Sequence, residues 1–167
     1  LYDEFFSKSN FLPIIKYCQA AEVFQDVPFS YFKTLKYIDE AYPGSKFILT
    51  VRDSSDQWYN SITKFHKKLF GKGERVPTTK DLAEASYVRK GFAQNAIKDH
   101  GTSIEDPYNK KIMCAHYEKH NADVLAYFKD RPNDLLIINL SDESAYQKFV
   151  VFIGIDSPYK NFPWENK

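Results

Sequence analysis

Two apolar stretches of strand length constrain the fold of this chain more than any other feature. KFILTV (46–51) and LLIINL (135–140) are nearly continuous apolar runs, which is the pattern of parallel strands buried on both faces. The segments between and around them have apolar residues at helical spacing, which predicts helices there. Because parallel strands must be joined by crossovers, the sequence predicts an α/β fold: a three-layer sandwich with a central parallel sheet flanked by helices.

A third strand is predicted for AEVFQDV (21–27). The next helix is predicted to begin at Pro28, which suits a first helical turn, and to end at Pro43 and Gly44. Further helices are predicted over residues 79–98, 107–129 and 143–155.

The helix that follows the 46–51 strand has clear signals at both ends. Ser54 and Gln57 have the spacing of a capping box, and Gly71 is a predicted C-cap. The apolar residues of this segment recur at helical intervals and predict its buried face: Trp58, Ile62, Phe65 and Leu69.

Composition narrows the functional classes. A chain of 167 residues with 43% hydrophobic content is expected to form one compact domain. Its 23 basic and 22 acidic residues lack the basic excess of a general nucleic-acid binder, and no apolar run approaches the ~18 residues of a membrane span. Cys18 and Cys114 fit neither a disulfide framework nor a zinc motif, so we expect reduced thiols and a cytoplasmic location.

Arg52 lies at the carboxyl end of the 46–51 strand, where α/β sheets bind ligands. The next helix directs its N-terminus at the same place, which favours a phosphate or sulfate group. Ser61 lies two turns into that helix, on the face of Ser54. In the alternative interpretation Arg52 forms a structural ion pair with Asp53 or Asp56, and Ser61 is simply a small helical residue.

Two longer segments carry a family resemblance. DVPFSYFKTLKYIDEAYPGSKFILTVRDSSDQWYNS (26–61) resembles the sulfotransferase family of the P-loop superfamily, in which a YP-x-x-KFI-x-x-x-R strand and a downstream serine bind the 3′-phosphate of PAPS. HYEKHNADVLAYFKDRPNDLLIINL (116–140), followed by FVVFIGI and NFPWEN, resembles the C-terminal half of the same family. The resemblance implies transfer of a sulfuryl group from PAPS to an acceptor hydroxyl, with PAP as product, no metal, and Arg52 and Ser61 on the 3′-phosphate.

The same resemblance implies a strand, a P-loop and a helix whose Lys and Ser/Thr hold the 5′-phosphosulfate of the donor. We expect these to precede Leu1, so that residues 1–167 form a single sulfotransferase-like domain without them. FGKGERVPTTK (70–80) has suitable residue types, but it follows a helix and is predicted to be a helix end running into a surface loop.

The family also implies a His or carboxylate base between the P-loop and the Arg52 strand. Residues 1–45 contain no histidine, which leaves six carboxylates as candidates: Asp3, Glu4, Glu22, Asp26, Asp39 and Glu40. Asp26 is favoured as the catalytic base because it closes the predicted 21–27 strand and would face the crevice where ligands bind. Its alternative role is to cap the helix predicted from Pro28.

Other interpretations stay open at this point. A nucleotide or small-molecule kinase could use the same sheet, and the aromatic tail with Tyr159, Phe162 and Trp164 would suit a non-catalytic interaction domain. His116 and His120 have a metal-binding spacing without further ligands, and His66 is expected to be exposed. The acceptor is expected to be a small molecule or carbohydrate, while phenols and peptide tyrosines stay possible and the oligomeric state stays open.

Overall fold

The computed structural model describes residues 10–163, which form a mixed α/β structure with seven α-helices and a small parallel sheet of two strands. This confirms the α/β class. The elements are α1 (Leu12–Tyr17), α2 (Phe32–Ala41), β1 (Phe47–Val51), α3 (Ser55–Phe70), α4 (Thr79–Glu84), α5 (Phe92–Lys98), α6 (Lys110–Tyr127), β2 (Leu135–Asn139) and α7 (Ala145–Ile153). Short 3-10 turns cover Cys18–Ala20 and Pro132–Asp134.

Both strongly predicted strands are present, but they are not buried on both faces as expected. In β1 Leu49 is buried, whereas Ile48 keeps 43% of its surface exposed; in β2 Ile138 is buried and Ile137 is 46% exposed. Successive side chains of a strand point to opposite faces, so each strand covers one face and leaves the other partly open. Within residues 10–163 each strand has only one neighbouring strand.

The chain divides into two compact units. In the described part of the chain, the first comprises residues 10–48 with 123–136, and the second comprises residues 49–122 with 137–163. The first has a core of Phe11 and Ile14 packed against side chains of α2 and the preceding turn.

The strand predicted at 21–27 is absent. Val23 is 84% exposed, and Phe24 turns back to contact the ring of Phe29 at 4.8 Å instead of following a strand. Asp26 has a φ of 59°, a left-handed conformation that interrupts an extended path. Helix α2 begins at Phe32, so Pro28 is not in its first turn and Asp26 does not cap it.

A buried carboxylate joins α2 to the segment after α6 within the first unit. Asp39 accepts two hydrogen bonds from the Arg131 guanidinium, at 2.6 and 3.1 Å, and one from the Tyr127 hydroxyl at 2.7 Å. Its side chain is 7% exposed and that of Arg131 is 42% exposed. The hydrogen bonds from Arg131 are the main reason that the pKa of the Asp39 carboxyl lies below its usual value. Burial acts in the opposite direction and raises this pKa, while the hydrogen bond from Tyr127 lowers it further.

Asp39 should make stability dependent on acid pH. Because its pKa is lower in the folded state than in the unfolded chain, its stabilisation is present above about pH 4 and is lost as the pH falls through the folded value. We expect Asp39→Asn to lower the thermal midpoint by several degrees at pH 6 and to flatten its decline between pH 5 and 2. Glu40→Gln, at an exposed neighbouring position, is the control. Equal pH profiles for the two variants would contradict this assignment.

The second unit is built around α3, α4 and α5. Its buried core consists of Leu82, Ala93, Ile97, Tyr108 and Met113, against which Trp58, Tyr59 and Ile62 of α3 pack. The face predicted for α3 is right near its start and wrong near its end: Phe65 and Leu69 are 51% and 42% exposed. Phe70 packs against the core in their place.

The single helix predicted over 79–98 is two helices, α4 and α5, separated by residues 85–91. Val88 and Gly91 both have left-handed backbone conformations, which a continuous helix does not accommodate. Arg89 and Lys90 therefore lie in the turn between the two helices. The prediction for Gly71 is confirmed, since it is the C-cap of α3 and its N–H donates to the carbonyl of Lys67 at 3.0 Å.

Candidate functional site

The turn from β1 into α3 is held by a capping arrangement within the second unit. The Ser54 hydroxyl accepts the backbone N–H of Gln57 at 3.1 Å, as the sequence predicts. The Gln57 side chain reaches back one residue further than in a standard capping box, and its Oε1 accepts the N–H of Asp53 at 2.9 Å. Helix α3 therefore begins in a fixed position three residues after Arg52.

Neutral side chains bind the carboxylate of Asp53. Gln57 Nε2 donates to Asp53 Oδ2 at 2.7 Å, and Asn139 Nδ2 donates to Asp53 Oδ1 at 2.5 Å. Asn139 is the last residue of β2, and its own Oδ1 accepts the N–H of Ser141 at 3.0 Å. These bonds connect the carboxyl ends of the two strands.

The other acidic residue of the turn is also satisfied by a partner. Asp56 forms an ion pair with Lys110 at 2.6 Å. The exposed Arg52 side chain has no ion pair or hydrogen bond with any residue from 10 to 163, so within that range the alternative that it pairs with Asp53 or Asp56 is wrong. The result is an exposed guanidinium at the carboxyl end of a parallel strand, next to carboxylates that are bound elsewhere.

Helix α6 fixes the backbone of the same turn. The N–H of Arg52 donates to the Tyr117 hydroxyl at 2.8 Å, and the Ser55 hydroxyl donates to Glu118 at 2.6 Å. The ring of Tyr117 stacks on Trp58 with centroids 5.0 Å apart and planes 19° from parallel. The position of Arg52 is thus set by contacts more than sixty residues away in the sequence.

Ser61 is an exposed residue in the second turn of α3. It belongs to the same unit as Arg52, and the structure shows no hydrogen bond between them. Asp26 belongs to the first unit, where it is exposed in a turn, and the strand that was expected to bring it to a crevice does not exist. The role of Asp26 as catalytic base stays a prediction.

Histidines lie inside the second unit, contrary to the expectation for His66. His66 Nδ1 is 2.9 Å from the Tyr108 hydroxyl, and burial, with a smaller effect of the charge of His100, lowers the pKa of His66 to about 4. Burial also lowers the pKa of His100 and His116, whose rings lie 5.2 Å apart. These three side chains are accordingly neutral at physiological pH.

Sequence reasoning missed two residues that shape this site, Asn139 and Tyr117. Asn139 had a usable signal, because it is a polar residue at the carboxyl end of a predicted strand. Tyr117 had only a position within a predicted helix and could not be distinguished from a packing residue.

Of the aromatic residues in the C-terminal segment, one is packed and one is exposed. Phe162 packs on Tyr146 and Phe149 at 5.0 and 5.3 Å, whereas Tyr159 is 73% exposed. Trp164 lies outside the described residues.

Residues 10–163 contain no helix that combines the length and apolar composition needed to cross a bilayer. Over the same range, no three or more His, Cys, Asp or Glu side chains are grouped so that they could hold a metal ion, and this includes the neighbourhood of His116 and His120. Cys18 and Cys114 are both free thiols.

The fold and this turn define an α/β protein with an arginine at the carboxyl end of a parallel strand, whose side chain has no partner among residues 10–163. Comparison with known families specifies the class: the family described as "Sulfotransferase domain" matches residues 6–167, almost the whole chain. The protein therefore belongs to this sulfotransferase family of the P-loop superfamily, which identifies it as a transferase for sulfuryl groups. No curated protein and no solved structure matches the chain.

Proposed function

We propose that this protein is a PAPS-dependent sulfotransferase that moves a sulfuryl group from PAPS to an acceptor hydroxyl and releases PAP. The family match supports sulfuryl transfer in general, and sulfotransferases generally use PAPS. The observation that carries the proposal for this chain is the exposed guanidinium of Arg52, which has no partner among residues 10–163.

The donor set at the β1–α3 turn fits a phosphate group. A guanidinium offers a planar fork of N–H donors that matches two phosphate oxygens, and a helix N-terminus adds a favourable dipole. We assign the 3′-phosphate of PAPS to Arg52, with the Ser61 hydroxyl as a further donor. Lys110 balances the charge of Asp56, and the Asp53 carboxylate accepts hydrogen bonds from Asn139 and Gln57, so neither carboxylate depends on Arg52 as its partner.

The proposal extends to the fold. Residues 1–167 are assigned to a single sulfotransferase-like domain, because the family match covers parts of both compact units. We assign this domain to a three-layer, P-loop NTPase-like sandwich in the cytoplasm.

The chemistry requires a proton acceptor and no metal. A base removes the proton of the acceptor hydroxyl, its oxygen attacks the sulfur in line, and the bond from sulfur to the phosphate oxygen of PAP breaks. Asp26 is proposed as that base. The acceptor is proposed to be a small molecule or carbohydrate carrying a free hydroxyl group.

Arg52→Ala should weaken PAP binding tenfold to a hundredfold, because hydrogen bonds to charged groups contribute about 1.5–3 kcal/mol each. Calorimetric titration of the full-length protein with PAP measures this effect. Lys148→Ala removes an exposed cation on α7 of the same unit and should leave the affinity unchanged.

Titration with adenosine 5′-phosphate tests the site itself. The parent should bind PAP more tightly than adenosine 5′-phosphate, and Arg52→Ala should lose most of that difference. EDTA should change neither affinity, which separates this site from a Mg²⁺-dependent kinase. Equal affinities of the parent for the two nucleotides would remove the reason for a 3′-phosphate site.

A further inference from the structure

The residue next to Arg52 is itself charged. Asp53 follows it directly, two residues before α3 begins, and a carboxylate beside a guanidinium is a natural partner for it. Pairing would occupy the donors of Arg52 and cancel its charge. An anion would then have to displace Asp53 before it could bind.

In the structure two amides from different places in the sequence bind Asp53 instead. Asn139, at the end of β2, binds one oxygen of Asp53, and Gln57, in the first turn of α3, binds the other. Gln57 also accepts the backbone N–H of Asp53, so the residue is held at three atoms. All of these partners are neutral, so the Asp53 carboxylate is hydrogen-bonded without forming an ion pair with a lysine or arginine.

We propose that Asn139 and Gln57 are positioning residues for anion binding, which hold the Asp53 carboxylate away from Arg52 and leave the guanidinium available to the ligand. This inference rests on the proposed function, because it assumes that Arg52 binds the 3′-phosphate of the donor. It adds residues that contact neither the phosphate nor the reacting atoms.

The expected size of the effect follows from the strength of exposed ion pairs, which shift an equilibrium up to about fivefold. Asn139→Ala frees one oxygen of Asp53 to pair with Arg52 and should weaken PAP binding about two- to fivefold. Asp53→Asn removes the competing charge and should bind PAP at least as tightly as the parent.

The decisive measurement is a double-mutant cycle in the full-length protein, with PAP affinity determined by calorimetry. If the inference holds, Asn139→Ala has no effect on PAP affinity in the Asp53→Asn background. The bond from Ser141 to Asn139 is lost in both backgrounds, so a purely structural role of Asn139 would weaken binding equally in each. Thermal unfolding of each variant shows whether it is folded.

Gln57→Met provides the same cycle if Asn139→Ala does not fold, because it removes the other donor to Asp53. Equal losses of affinity in both backgrounds, or no loss in either, would overturn the inference. Failure of the proposed function looks different: the parent itself would then not distinguish PAP from adenosine 5′-phosphate.

Discussion

Asp26→Asn is expected to lower the turnover of sulfuryl transfer by roughly 10² to 10⁴ while leaving stability almost unchanged, because the amide cannot accept the proton of the acceptor hydroxyl. Asparagine should keep the backbone conformation that Asp26 has in this structure. Its φ is 59°, and asparagine adopts the left-handed region at least as readily as aspartate. The two side chains also have nearly the same shape, so a change in turnover will report on chemistry.

Three measurements on the full-length protein make the test complete: steady-state transfer to an accepted acceptor, the thermal midpoint and the affinity for PAP. A base at the acceptor should leave PAP affinity intact. Glu22→Gln is the matched control, since Glu22 is an exposed carboxylate of the same segment. Near-parent turnover of Asp26→Asn would eliminate Asp26, and a loss found only in Glu22→Gln would transfer the assignment to that residue.

Acidification should destabilise the protein through His66. Its pKa is about 4 in the folded state and about 6.5 in an unfolded chain, so between these values the unfolded state binds a proton that the folded state does not. The free energy of unfolding should therefore decrease as the pH falls through 6.5 and level off below about 4. For this one group the total decrease is about 3 kcal/mol.

Urea unfolding at intervals between pH 7 and 4 measures this dependence. His66→Gln should remove most of the decrease, while His100 and His116 contribute in the same direction because burial lowers their pKa values too. Tyr108→Phe is the informative comparison. It deletes the hydroxyl 2.9 Å from His66 but keeps the ring that buries it, so the pH dependence should persist. Its disappearance in Tyr108→Phe would show that the hydrogen bond and not burial sets the pKa of His66.

The parts of the fold that sequence predicted are those fixed by local chemistry. Strand β1 follows from five consecutive residues of strand propensity, and α3 follows from the Ser54 cap and the Gly71 end signal. The segment at 21–27 has a similar apolar content but no strand partner among the described residues. Pairing is a non-local property, so periodicity alone could not distinguish the two segments.

The same limit applies to the site. The position of Arg52 was predictable because strand, arginine and helix cap are contiguous. The partner of the neighbouring carboxylate was not predictable, because Asp53 is bound by Asn139, eighty-six residues away. The burial of His66 likewise depends on Tyr108 from another segment, while its lysine neighbours in the sequence suggested exposure.

The stacking of Tyr117 on Trp58 gives the β1–α3 turn an optical property. Tyr117 binds the backbone of Arg52 and places its ring against an indole, so a shift of this turn alters the surroundings of a natural fluorophore. The sequence contains only one other tryptophan, Trp164. With Trp164 changed to Phe, emission from Trp58 would report movement of this turn in real time and without an attached label.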